Sequence, residues 1–263
     1  MQRFSFYLPA SADLPTLDEL GALLIDLGCR LQGGDGYRPG TWRDRVTGAR
    51  AIIDLGEAPI EEDVQHPPRA YDGWVPMQLS VQLPLVCPHW LAVEGFQFLE
   101  RVLAAVPEVR VLDEEDSQET AEAQPGPFAW SRPRALLNWE RLHAVQVETR
   151  TDLGRMHRGD SLRLWRWRRE RQPGWPEATV LIDRATAEAH PVCVWSDPAQ
   201  PCVLPATGLV LVRLPTPRLI GRNALPAGEA LETAGATRVA PGAWPDGLPL
   251  ERFRAADDED WID

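Results

Sequence analysis

Carboxylates at strand ends are the residues of this chain best placed to do chemistry. Asp54 closes one predicted strand, and Asp113 follows directly on another with Glu114, Glu115 and Asp116 behind it. Oxygen ligands so placed can hold Mg²⁺, which polarises a phosphoryl or carbonyl oxygen and generates a nucleophile from water. A second grouping joins His190, Cys193 and Cys202. His190-x2-Cys193 is an acceptable ligand spacing, and Cys202 could face it across a hairpin. A structural zinc needs four ligands, and only Asp197 stands nearby as a fourth. Cys87-Pro88-His89 sets a thiol beside a helix start, where the dipole lowers a thiol pKa. Neighbouring residues of an extended strand point to opposite faces, so His89 is not its base.

Gly159-Asp160-Ser161-Leu162 spells the opening of the GDSL hydrolase motif, in which the serine is a nucleophile and a later Asp-x-x-His supplies the base. No Asp-x-x-His follows here, and Asp183 precedes His190 by seven residues. A serine without a base is not activated, so the tetrapeptide reads as a turn entering a strand. That strand, Ser161 to Arg169, interleaves arginine with tryptophan in a pattern suited to stacking on single-stranded nucleic acid. The C-terminal run Asp257-Asp258-Glu259-Asp260-Trp261 is its charge complement. Tryptophan and arginine dominate protein–protein contacts. The candidate partner-binding residues are therefore Trp165, Arg166, Trp167, Arg168, Asp257, Asp258, Glu259, Asp260 and Trp261.

The formal charge is −12 over 263 residues. An acidic surface repels nucleic-acid phosphates and anionic lipid, and favours a basic protein partner. All 27 basic residues are arginine. Without lysine there is no Schiff base, no P-loop lysine and no kinase-type strand lysine. The richness in Arg, Ala and Pro is what a GC-rich bacterial genome writes. The four cysteines form no CxxC pair, the start of the chain lacks a signal-peptide apolar stretch, and no segment reaches membrane-spanning length. The expectation is a cytoplasmic protein with reduced, mostly buried thiols.

The elements that must position these groups begin with a strand at Arg3 to Leu8. Thr16-Leu17-Asp18-Glu19 is a capping box before leucines at helical spacing, with Gly28 as the stop. Trp42 to Arg45 and Arg50 to Leu55 predict two strands about the Val46-Thr47-Gly48 turn. Met77 to Val86 predicts a strand, Pro88 opens a helix that Pro107 ends, and Val109 to Leu112 is a short strand. This order suggests an α+β, ferredoxin-like sandwich over residues 1–112, an antiparallel sheet with helices on one face. An acidic, Pro-rich linker is expected over 113–131. A helix from Pro133 to Val147, capped by Ser131, leads a small antiparallel β domain over 132–220, with strands at Ser161 to Arg169, Thr179 to Asp183, Val192 to Trp195 and Gly208 to Leu214. Residues 221–263 read as an irregular acidic tail.

The function these features point to is a non-catalytic, cytosolic, protein-binding module, of which an immunity-type inhibitor of a basic partner is a concrete form. The alternatives are a metal-dependent hydrolase or phosphoryl-transfer enzyme built on Asp54 and Asp113, and a nucleic-acid binder built on the Arg/Trp strand. No cofactor is implied.

Overall fold

The computed structural model describes residues 1–34, 36–56, 71–115, 127–206 and 208–263. Most of the expected linker, including Asp116, lies outside the described residues. The chain is mixed α+β, with four α-helices among the described residues, and it divides into two units. The first is Met1–Leu85 with Leu91–Glu148, and the second is Val86–Trp90 with Thr149–Asp263.

Unit 1 runs β1 (Gln2–Pro9), α1 (Leu17–Asp26), β2 (Cys29–Leu31), β3 (Tyr37–Arg43), β4 (Arg50–Gly56), β5 (Trp74–Leu83), α2 (His89–Ala105, of which His89 and Trp90 belong to unit 2), β6 (Arg110–Asp113) and α3 (Arg132–Glu148). Thr16 caps α1 as expected, accepting from the Glu19 N–H while the Glu19 carboxylate accepts from the Thr16 N–H. Gly28 ends the helix with φ +92°, a conformation in which only glycine escapes a Cβ clash. The strands form one antiparallel sheet in the order β2-β3-β4-β5-β1-β6. Phe4, Trp42, Ile53, Leu55 and Val81 are buried on the face that the helices cover. There Phe4 meets Phe96 of α2 and Trp130 edge-on, and Trp42 stacks on Phe98 of α2 at 4.6 Å. The helix expected from Pro133 is α3. It belongs to this unit rather than to the β half, because buried Trp139 donates its indole N–H to the Pro84 carbonyl (2.9 Å).

Unit 2 contains β7 (Gly154–Arg155), α4 (Arg158–Glu170), β8 (Ala178–Asp183), β9 (Ala189–Trp195), β10 (Cys202–Leu204), β11 (Leu209–Val212), β12 (Arg218–Gly221), β13 (Glu229–Ala230), β14 (Thr237–Val239), β15 (Phe253–Ala256) and β16 (Trp261–Ile262). Three expectations change here. First, the Arg/Trp segment is not a strand but helix α4. The alternation of Trp165 and Trp167 mimics a period of two, yet the buried residues are Ser161, Leu164 and Trp167, one helical face at i, i+3 and i+6. His157 caps this helix, Asp160 sits in its first turn, and Arg168 and Arg169 sit in its last, each charge matched to the helix dipole.

Second, the main sheet, β12-β11-β9-β8-β15, is not wholly antiparallel, because β9 and β11 pair in parallel. The chain between them leaves the sheet through β10, which pairs with β14 instead, and a parallel pair needs such a crossover. Third, the tail is not irregular. β15 is an edge strand of this sheet, and β16 pairs with β7. Strands of two to four residues are too short to display alternation in a Pro- and Gly-rich sequence.

Buried indoles carry much of the core. Among the described residues the Trp261 indole N–H has no hydrogen-bond acceptor, whereas that of Trp139 does. Trp261→Ala is expected to lower the stability of unit 2 by about 3–5 kcal/mol. Trp261→Phe should cost at least about 1 kcal/mol less than Trp139→Phe, since only the second strands a carbonyl that had a partner. Urea unfolding of the three variants checks both statements.

Candidate functional site

The acidic C-terminal run is a pinned turn in unit 2. Trp261 and Ile262 are buried, and the backbone of this segment is tied down by Gly154 N–H to Asp260 O (2.8 Å) and Met156 N–H to Ile262 O (2.9 Å). The turn closes on itself through Asp260 N–H to Asp257 O (3.0 Å) and Asp257 N–H to Asp260 Oδ2 (2.8 Å). Asp263 accepts from the His89 N–H at 2.8 Å. From α4, the Arg168 guanidinium donates to both oxygens of Asp258 (3.0 and 2.9 Å) and lies over the Trp90 ring at 5.5 Å. Trp90 in turn donates to the Ser161 hydroxyl at 3.1 Å and lies 6.5 Å from Trp261.

The structure therefore joins Arg168, Asp258 and Trp261 in one network, as the charge complement between the two segments suggested. It separates the remaining candidates. Trp167 and Trp261 are fully buried and face the core, so neither can touch a partner in this conformation. Trp167 stacks on Trp175 and donates to the Pro176 carbonyl. Arg166 pairs with Glu170 on its own helix, and Trp165 lies under Arg169. Asp257 and Glu259 are exposed on the outside of the turn.

The groups that could have been catalytic are held in structural roles. Ser161 is wholly buried and accepts from Trp90, which removes the GDSL reading. His190 and Cys193 lie on opposite faces of β9. His190 meets Phe253 in one apolar cluster, while Cys193 belongs with Trp195 and Cys202 to the other. Three residues along a strand always separate faces in this way, so no zinc set forms. Burial pushes the Cys29 thiol up to about 12 and Cys202 to about 11, and it raises Cys193 as well. Cys87 is buried too.

Asp54 and Asp113 do not converge. They lie on strands β4 and β6 with β5 and β1 between them. Asp54 is in register with Ser80 and Ser5, while Asp113 pairs with Phe4 on the other face. Asp54 Oδ1 accepts from the Tyr37 hydroxyl (2.8 Å), and its Oδ2 accepts from Ser80 (3.1 Å) and Gln82 (2.8 Å). Burial, followed by the hydrogen bond to Asp54, raises the Tyr37 phenol to about 12. Asp113 accepts from Gln2 (2.6 Å) and from Asn138 of α3 (2.8 Å). Among the described residues, no three His, Cys, Asp or Glu side chains gather as a metal site.

The sequence reading missed two buried carboxylates, Glu94 and Asp183. Asp183 is 2% exposed at the end of β8 and is held by Arg252 and by the Ala185 N–H (2.9 Å). The only sequence signal was an aspartate closing an apolar strand. The Arg252 hydrogen bond holds its carboxyl down to about 2.

No protein-family model matches the chain, and no curated protein or solved structure is significantly similar to it. No helix among the described residues is long and apolar enough to cross a membrane.

Two predictions follow from these environments. The stability contributed by Asp183 is fully present above the unfolded carboxylate pKa near 4 and is lost as pH falls through about 2. Acid unfolding of Asp183→Asn should therefore lack that part of the slope, and an unchanged acid limb would refute the assignment. A thiol reagent at neutral pH should leave Cys29, Cys193 and Cys202 unmodified in the native protein and label them only after denaturation.

Proposed function

We propose that the chain is a non-catalytic protein-binding module that docks a basic protein on the acidic turn Asp257–Asp260. The observation that carries this reading is the pinning of the turn. Arg168 and the buried Trp261 hold the backbone in place while Asp257 and Glu259 point outward. An anionic group already ordered before binding loses little entropy on association, and charge of one sign steers a basic partner to it. The formal charge of −12 extends that steering over the whole chain. An inhibitor of the immunity type, in the cytosol of a bacterium, is the concrete form we favour. The ferredoxin-like description of unit 1 is likewise our reading, supported by the placing of β1 between β5 and β6.

Two rival readings have less support. A metal hydrolase on Asp54 and Asp113 would need the two carboxylates on one face. A nucleic-acid binder on the Arg/Trp segment would need both tryptophans accessible, and Trp167 is buried.

The test is affinity capture of the tagged full-length chain from its host at low salt, followed by titration of the basic partner so identified. Asp257→Asn with Glu259→Gln should weaken that complex about tenfold at low ionic strength. Equal affinity of the double variant and the parent across the salt range would overturn the role of the turn.

A further inference from the structure

Unit 1 carries a surface of the opposite sign. In the sheet register Arg30 lies opposite Thr41, Thr41 opposite Ile52, and Arg43 opposite Arg50. Residues directly opposite, or two apart on one strand, share a face. Arg30, Thr41, Arg43, Arg50 and Ile52 therefore form one patch, and all five are exposed. The residues that alternate with them, Trp42, Ala51 and Ile53, are buried on the helix side. The patch continues into the hairpin turn, where Arg45 and Val46 are exposed. That turn is ordered, because Asp44 Oδ1 accepts from the N–H groups of Val46 (2.9 Å) and Thr47 (2.7 Å).

The pairing of charges singles this patch out. The chain has 39 acidic residues against 27 basic ones, so a carboxylate should be at hand for most surface arginines. Arg38, Arg132, Arg163 and Arg238 each have one within ion-pair distance. Among the described residues, no carboxylate lies that close to Arg30, Arg43 or Arg45. Arg43 and Arg50 stand directly opposite each other on adjacent strands, so like charges cluster on one hairpin of an acidic protein.

We propose that this face is a docking surface for an acidic protein segment, held by its carboxylates. The chemistry of the patch favours a protein over a nucleic acid. Its exposed side chains include no aromatic ring on which a base could stack. Ile52 and Val46 supply the apolar contact, and the arginines the forked hydrogen bonds, of a protein interface. This surface is additional to the acidic turn and does not depend on it.

The test titrates the full-length chain into fluorescently labelled poly-L-glutamate and, separately, a labelled oligothymidylate, following anisotropy at low and physiological salt. The parent should bind poly-L-glutamate more tightly than the oligothymidylate, with affinity falling as salt rises. Arg30→Gln with Arg43→Gln and Arg45→Gln should weaken that binding about tenfold, the loss of three exposed ion pairs. Arg43→Glu guards against misfolding. It keeps a charged side chain at an exposed position, so it should keep the melting temperature while also weakening binding. No binding of poly-L-glutamate by the parent at low salt overturns the proposal, as does equal binding by the variants. Tighter binding of the oligothymidylate would assign the face to nucleic-acid phosphates instead.

Discussion

A buried indole hides a large apolar surface but brings with it one N–H that must find an acceptor, and that constraint organises both units. Trp139 is satisfied by the Pro84 carbonyl, Trp167 by Pro176, and Trp195 by the carbonyls of Asp197 and Gln200. Trp90 uses the Ser161 hydroxyl and Trp130 the Glu100 carboxylate. Several of these acceptors sit in loops or at element ends, where backbone carbonyls are not engaged in a ladder. The tryptophans thus fix the loops as well as filling the core, which is how a chain with 25 prolines and many short strands keeps defined geometry. Trp261 is an exception, buried without an acceptor among the described residues. Its segment is held by backbone hydrogen bonds and by the ion pair of Asp258 with Arg168.

Charge is distributed on the same plan. Carboxylates are consumed by donors from neighbouring elements: Asp54 by β3 and β5, Asp113 by β1 and α3, and Asp183 by Arg252. A carboxylate accepting two or three hydrogen bonds has few lone pairs left for a metal or a substrate proton. Two sets of exposed charge stand out among the described residues, an anionic turn in unit 2 and a cationic sheet face in unit 1.

How much was legible in the sequence depended on the range of the interaction concerned. Helix α1 could be read because its cap, its leucine spacing and its terminal glycine all act within a few residues. The β3–β4 hairpin was legible for the same reason, since its turn residues and alternation are local. Helix α4 was misread because two tryptophans in alternation outweighed the weaker i, i+3, i+6 pattern of Ser161, Leu164 and Trp167. The pattern that decided it was burial against the sheet of unit 2, which no local window contains. The tail was misread because two-residue strands have no period.

The sequence by itself determined the exclusions and the local elements. The absence of lysine, the lack of a nucleophile–base spacing and the capped helix are properties of residue type and short separation. Tertiary structure alone decided which charges meet. Asp258 reaches Arg168 across 90 residues, Gln2 reaches Asp113 across 111, and Asp54 and Asp113 part to opposite sheet faces. Side-chain period along a strand is two, so a shift of one residue in register exchanges the faces. Register is set by long-range pairing, and so the sites were beyond the reach of the linear text.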